Sequence, residues 1–581
     1  MIGFYVNGEF LDLYPGNRVE FVKNHEIYAS GDPEFIQTSY SLPVRVPLTP
    51  LNNRLLKYPG NRASQEPPRV IDEVFFYAGP GKSIGLPIFT GKLYVKKAGP
   101  TSAELFMIVD GLSVKKEITF QDLDFETHTE TTEENMRTHM KATVTDPDDY
   151  DYAFFPVGFG NKFIDESRLT ESMYGKPLGI QMANYFDSST QHFVPTSSTK
   201  YAIVIPFFKV SYILNKIVKE IGYNLDNQFQ SDLEMQRLYV LNNYSIYEVD
   251  AIPTSFNYRN HFPKKMKVVD FAKKICRAFF VGIFPNAITK EIKYIPLRDL
   301  LNQPHRHDWS ALAEDEYSTD QDNSIPESFG YADDPNDALF GENVRVDPTL
   351  LGTFTDYWGA TFPSTAGLYF FHMDRSYRQV ILQGLNVWKV LAKFFGIYKT
   401  NGRGEPYWNE CAPLFQSKGQ SSIWPEMHVK GRAKFKGKDD NDQPIVMTEE
   451  AEWESIRLCF YRGIITGFST PYTIQPYANC HEYIPGVSAG PPGNEMYDYS
   501  LHYDSPNGII EKWGKEWLYF MQYKKIETRR FNLKLSDIIN FQEYDKVWVS
   551  GQAYFIKSMR ISFTDTGIDP VECEMYSIPQ S

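Results

Sequence analysis

The stretch from Val268 to Ile295, VVDFAKKICRAFFVGIFPNAITKEIKYI, decides how this chain is read. Val268, Phe271, Ala272, Ile275 and Phe279 recur at the three- and four-residue spacing of an amphipathic helix. Val281 to Phe284, a turn at Pro285 and Asn286, and Ile292 to Ile295 then predict a hairpin. A related helix stands upstream, where Val210, Ile213, Leu214, Ile217 and Ile221 draw one apolar stripe, with Ser211 placed to cap its start and Gly222 to stop it. Elsewhere the chain alternates with period two. The reading is therefore a mainly β fold with small α+β modules, and since no catalytic motif accompanies the modules, an assembly protein.

Working outward, Asn7-Gly8 between apolar runs predicts an opening hairpin, because both turn positions need positive φ. Tyr40, Leu42, Val44, Val46 and Leu48 alternate through an expected edge strand that tolerates Pro43 and Pro47 on its other face. Thr49-Pro50 reads as an N-cap with proline at the first helical position, opening a short helix through Leu56. Ile88 to Val95 and Ala103 to Val109, across Gly99-Pro100, form a further expected hairpin. Residues 1–120 thus read as one β-barrel or sandwich. Residues 121–205 carry acidic clusters around Glu126 to Glu134 and Asp146 to Asp151 with little periodicity, and read as an extended arm. Residues 206–300 hold the α+β module. Residues 301–525, rich in Gly, Pro, Asn, Tyr and Trp, read as an aromatic-rich β domain with long loops, with strands expected at His428 to Phe435 and Glu454 to Tyr461. Residues 526–581 return to regular strands: Lys546 to Val549, a turn at Ser550-Gly551, Tyr554 to Phe563, then Val571, Cys573 and Met575 in alternation. These are expected to complete a barrel.

The length of 581 residues exceeds what one core supports and calls for several domains. No apolar run approaches the roughly 18 residues needed to cross a bilayer, and the opening Met-Ile-Gly-Phe-Tyr-Val lacks the basic and apolar segments of a secretory signal, so synthesis in a cytoplasm is expected. Five scattered cysteines without a Cys-x-x-Cys pair argue against a disulfide framework or zinc site and for small buried hydrophobes. A net charge of −14 disfavours sequence-independent nucleic-acid binding, which rests on Lys and Arg neutralising phosphates. Aromatic residues at 15% favour strands and subunit interfaces.

Candidate chemistry is thin. Gly486-Val487-Ser488-Ala489-Gly490 has the letters of a nucleophile elbow, but Pro491-Pro492-Gly493 follows where a helix is required, so Ser488 is read as a loop residue. His305, His307 and Asp308 stand at strand spacing that would face both imidazoles one way, yet no partner cluster accompanies them, and a polar loop is the stronger reading. Asp439, Asn441, Gln443 and Glu450 resemble a calcium loop except that Pro444 occupies the glycine position, which favours a hairpin tip. Glu314, Glu316 or Asp333 could pair as glycosidase acids, and Trp358, Tyr407, Trp408 and Trp424 could stack on sugars. Aromatics in β-rich chains more often serve cores and interfaces. The expectation is no catalytic, cofactor or metal residue, with a β-rich carbohydrate-binding or carbohydrate-active protein as the alternative.

Taken together, Ser41-Leu42-Pro43 through Val46-Pro47-Leu48-Thr49-Pro50 with Asn52 and Asn53, then Phe208-Lys209-Val210 to Tyr223, Val268 to Leu300, and the strand pair Val547 to Ile561 resemble tail proteins of phages and prophages of Bacteroidetes-type bacteria, structural kin of the hubs of long-tailed phage baseplates. The resemblance implies a structural, non-enzymatic tail hub or tail-tip protein. It implies tube-like β-barrel domains, paired in each chain, so that a homotrimer adapts a sixfold tube to a threefold tip. Its implied partners are tail-tube, tape-measure and other baseplate or tip proteins, with DNA passing unbound through an acidic lumen. Its implied place is the tail of the virion, after synthesis in the host cytoplasm. Residues 121–205 and 301–525 exceed a minimal hub and are candidates for receptor or baseplate contacts.

Overall fold

The computed structural model describes residues 2–24, 39–61, 70–78, 87–109, 118–159, 181–194, 202–242, 247–249, 252–286, 288–321, 328–332, 407–414, 424–427, 455–467, 473–484, 497–503 and 505–579, with the backbone of six strands between 354 and 399. The fold is mainly β and divides its interior between two cores.

The larger structure is a 15-stranded sheet built from both ends of the chain. Its path runs Glu9–Phe10, Ile2–Val6, Val70–Ala78, Phe89–Ala98, Ser102–Val109, Tyr40–Ser41, Val19–Asn24, Gln552–Thr564, Val571–Ser577, Lys525–Phe531 and Ala313–Gln321. Every neighbouring pair on that path is antiparallel. Asn7 and Gly8 take φ of 47° and 92°, and Ser550 and Gly551 take 48° and 95°, as the two tight turns require. Val19–Asn24 lies against Gln552–Thr564 over six pairs, from Val19 with Phe563 to Asn24 with Ser558. Phe4, Phe21, Phe76, Phe89 and Phe563 fill the core beneath that junction, with Phe21 ring centroids 4.6 Å from Phe76 and 4.4 Å from Phe89. Among the described residues the sheet remains open, so the closed barrel implied for residues 1–120 and 526–581 is not formed there.

The expected strand through Tyr40 to Leu48 is broken. Tyr40–Ser41 pairs with Val19–Asn24, whereas Val44–Pro47 pairs with Ser102–Val109, and the break falls at Leu42-Pro43, where proline offers no ladder donor. The helix Pro50–Leu55 begins as expected, with the Thr49 hydroxyl accepting from the Asn52 N–H at 3.2 Å. Asn52 is wholly buried and fully used: its amide donates to Asp12 O at 2.9 Å and Pro47 O at 2.6 Å, and its Oδ1 accepts from Asp12 N–H at 2.9 Å.

The second core gathers the middle of the chain. Its 6-stranded sheet follows the order Tyr152–Ala153, Phe207–Lys209, Leu238–Leu241, Ile456–Thr466 and Cys411–Pro413, with Ile474–Asn479 beside Ile456–Thr466. This sheet spans positions on both sides of 205/206 and 300/301. The helix Val210–Glu220 buries Val210, Ile213, Leu214, Ile217 and Val218. Its N-cap is Lys209 and not Ser211, since the preceding strand runs straight into the first turn; Gly222, at φ +84°, ends it as read. The helix leads into Asn224–Asn227, which lies parallel to Glu291–Pro296, the second strand of the expected hairpin with Val281–Asn286; Pro285 and Asn286, read as its turn, are instead paired with Ile292 and Glu291, so the first strand runs two residues further. The helix Val268–Ala278 buries Val268, Val269, Phe271, Ala272, Ile275, Cys276 and Ala278. All five cysteines are buried and none is in a disulfide.

Residues 121–205 contain more order than an arm. Thr132 caps a 13-residue helix, Glu133–Thr145, whose Met136, Met140 and Val144 are buried. The expected strand at His428 to Phe435 lies outside the described residues; the one expected at Glu454 to Tyr461 is Ile456–Thr466.

Candidate functional site

Each sequence candidate among the described residues is placed by a packing role. His307 offers Nε2 to Asp545 Oδ2 at 2.9 Å, and Arg306 donates to the other oxygen at 3.3 Å. Asp545, with its side chain 3% exposed, also accepts from the Gln542 N–H, so it clamps the short parallel strand His307–Asp308 onto Lys546–Val549. His305 instead stacks on Trp548 at 5.0 Å, and Asp308 accepts from the backbone and hydroxyl of Ser310. The three residues therefore do not converge. Glu314 and Glu316 sit on Ala313–Gln321, the strand at one end of the large sheet. Tyr407 lies under the Arg277 guanidinium, 3.8 Å from its ring centroid, and packs on Phe329, while Trp424 is 2% exposed. These two aromatics are packing residues and offer no sugar platform. Asp333, Trp358, Asp439, Asn441, Gln443, Glu450 and Ser488 lie outside the described residues, as does the side chain of Trp408.

A cluster that spacing did not reveal is His128, Glu130 and His139, whose donor atoms lie within 4.8 Å of one another. His128 belongs to the strand Thr127–Thr129, which pairs with Ser255–Asn257; His139 comes from the helix Glu133–Thr145. The imidazoles stack with centroids 3.9 Å apart and planes 20° apart. His128 Nε2 is 3.0 Å from Glu130 Oε1, and His139 Nε2 is 2.7 Å from the Tyr152 hydroxyl. Phe256 and Tyr152 pack on His128, and Tyr150 meets His139 edge-on. Burial first, then the neighbouring His128, lower the His139 pKa to about 4, so its imidazole is neutral near pH 7. Burial pushes the Tyr152 hydroxyl well above its ordinary range, so it stays a donor.

The residue types suit a divalent transition metal, but their orientation does not. A histidine binds a metal in the plane of its ring at about 2.0–2.1 Å. Two nearly parallel rings stacked at 3.9 Å have no shared in-plane point, so a common ion requires one ring to turn. As placed, the cluster is a stacked pair with one carboxylate beside it. No sequence period links His128 to His139 because one lies on a strand and the other on a helix.

No protein-family model and no curated protein matches the chain. Among solved structures it is similar to the 43 kDa tail protein of prophage MuSo2 from Shewanella oneidensis, at 6% identity and a TM-score of 0.33, covering 100% of this chain and 98% of that one. It is also similar to the prophage tail protein gp18 of Listeria monocytogenes, at 10% identity and a TM-score of 0.29, covering 100% and 95%. A tail protein of Neisseria meningitidis stands at 8% identity and a TM-score of 0.26, covering 100% and 96%.

Proposed function

We propose that this chain is a structural, non-enzymatic component of a long-tailed phage or prophage tail, at the hub or tip that joins the tail tube to the distal end. In this reading it assembles as a homotrimer, contacts tail-tube, tape-measure and other baseplate or tip proteins, and lets DNA pass without binding it. The observation that supports it most is how the four resembling segments are used. Val44–Pro47 with Asn52 and the terminal pair Lys546–Val549 and Gln552–Thr564 belong to one sheet and core, while Val210–Glu220 and Val268–Ala278 with its hairpin belong to the other. Each segment is thus a framework element and none is a peripheral loop. Among the described residues no helix is long and apolar enough to cross a membrane.

Gold-labelled antibody against the chain, applied to particles induced from a host that carries its gene, is expected to decorate the tail end farthest from the head. Label on the capsid, or on no particle, would refute the placement. Light scattering on the purified chain tests the stoichiometry: three times the 67.1 kDa chain is expected, and a strict monomer at all concentrations counts against a trimeric hub.

A further inference from the structure

We propose that the stacked rings of His128 and His139 form a proton-sensitive latch, which holds the helix Glu133–Thr145 against the strand pair Thr127–Thr129 and Ser255–Asn257 when both are neutral and loosens when both are charged. Two neutral imidazoles stack favourably, but two imidazolium ions 3.9 Å apart repel across a half-buried contact where water screens poorly. Glu130, 3.0 Å from His128 Nε2, can offset one of those charges and not both.

Among the described residues, the other groups facing the pair do not supply a second countercharge. From the segment after the helix come Tyr150 and Tyr152, from the opposite strand Phe256, and from the turn that follows it Tyr258, against Tyr152. Burial raises the hydroxyls of Tyr152 and Tyr258 above their ordinary values, so both remain neutral through the acid range. Asp151 lies between the two tyrosines in sequence, and burial raises its carboxyl, so that it loses its charge earlier than an ordinary aspartate as pH falls. His261, which meets Phe256 edge-on, is buried and lowered to about 3.

The direction follows from linkage. The folded His139 takes up a proton only near pH 4, whereas the unfolded chain takes it up near 6.5. The stability it contributes is therefore present above about pH 6.5 and is lost as pH falls towards 4. The mechanical target is clear as well, because Tyr461 donates to the last turn of this helix at Val144 O, and Arg137 from its middle donates to Phe193 O. Loosening it disturbs contacts with the 6-stranded sheet and with the neighbouring hairpin Phe186–Asp187 and His192–Phe193.

The test compares thermal midpoints of the full-length chain at pH 7.5 and pH 5 for wild type, His139→Phe and His128→Phe, in which the stack is kept and one proton site removed. Wild type is expected to lose about 2–4 °C more on acidification than either variant. His261 is unaltered in all three and cancels in the comparison, whereas Glu130 loses its partner in His128→Phe alone, so His139→Phe is the primary comparison. Equal acid losses in all three proteins would overturn the latch. Should His139→Phe fail to fold, His128→Phe and the titration of the wild-type His139 ¹³Cε1 resonance, assigned by its contacts with the Tyr150 and Tyr152 rings, decide: His139 still neutral at pH 5 is expected, and its titration near the ordinary 6.5 overturns the proposal. A zinc-dependent rise in the wild-type midpoint, absent from both variants, would also overturn it and make the cluster a metal site.

Discussion

The two cores are made in opposite ways. In the middle of the chain a helix and the strands beside it are close neighbours in sequence: Phe207–Lys209 runs into Val210–Glu220, which runs into Asn224–Asn227, and Val268–Ala278 leads directly into its hairpin. In the large sheet the decisive contact joins residues from opposite ends, with Arg18 donating to the Ser562 hydroxyl 544 positions away. The first plan is built around local amphipathic pieces, although its sheet also pairs Leu238–Leu241 with Ile456–Thr466, whereas the second rests on pairing of the chain ends, which carries a larger loop-closure cost before any contact rewards it. The two plans meet at the paired strands Gln552–Thr564 and Val571–Ser577, the second of which gives Val571, Cys573 and Met575 to the core of the chain ends and Tyr576 to the other. Along Gln552–Thr564, Ile556, Met559, Ile561 and Phe563 face the core of the chain ends, while Phe555 faces the other and meets Phe520 at 5.7 Å.

The most severe challenge to this contrast is a charge in the local core. Phe271→Asp or Ile217→Asp is expected to cost about 4 kcal/mol or more, because each places an unpaired carboxylate among residues of at most 2% exposure. Calorimetry decides between coupled and independent cores: if the shared strands couple them, both variants unfold in a single lowered transition, whereas a low transition beside an unmoved high one would show the cores to be independent. Phe563→Ala strikes the other core, removing a ring 5.2 Å from Phe76, and should cost about 3–4 kcal/mol in denaturant melts. An unchanged midpoint would mean that the chain ends are not packed as described. Asn52→Ala, which strands the Asp12 N–H and the Asp12 and Pro47 carbonyls, should cost about 1–3 kcal/mol. The smallest effect is expected from Arg560→Ala. Its bonds to Glu20 at 3.0 and 3.2 Å cross the chain-end junction but sit at the surface, so the loss should not exceed about 1 kcal/mol and should shrink further in high salt.

The same contrast explains what could be read from the chain. Helical stripes and two-residue turns announce themselves within a dozen residues, so Val210–Glu220, Val268–Ala278, the Asn7-Gly8 turn and the Thr49 cap are legible. The helix Glu133–Thr145 is harder, because its buried Met136, Met140 and Val144 form a single narrow row under a polar exterior of mixed charge. Pairing partners are not legible at all, since alternation says that Val19–Asn24 is a strand but not that its neighbour is Gln552–Thr564. The histidine pair is invisible for a related reason: the two rings reach one another only because Thr127–Thr129 and the following helix fold back on each other.

The junction between Val19–Asn24 and Gln552–Thr564 also sets a timetable. A ribosome adding roughly 5–20 residues per second needs on the order of 30–110 s to travel from one strand to the other. During that interval Phe21, Phe76 and Phe89 have been made and Phe563 has not. The nascent chain must therefore carry an unfinished apolar sheet for most of its synthesis, while in the middle of the molecule the local pieces Val210–Glu220 and Val268–Ala278 with its hairpin can form as they leave the exit tunnel and wait for Ile456–Thr466 to complete their sheet. Loss of the closing residues would leave the opening ones with an unpaired strand and no later segment to cover it, so messages truncated near their end should yield aggregates in place of shortened subunits.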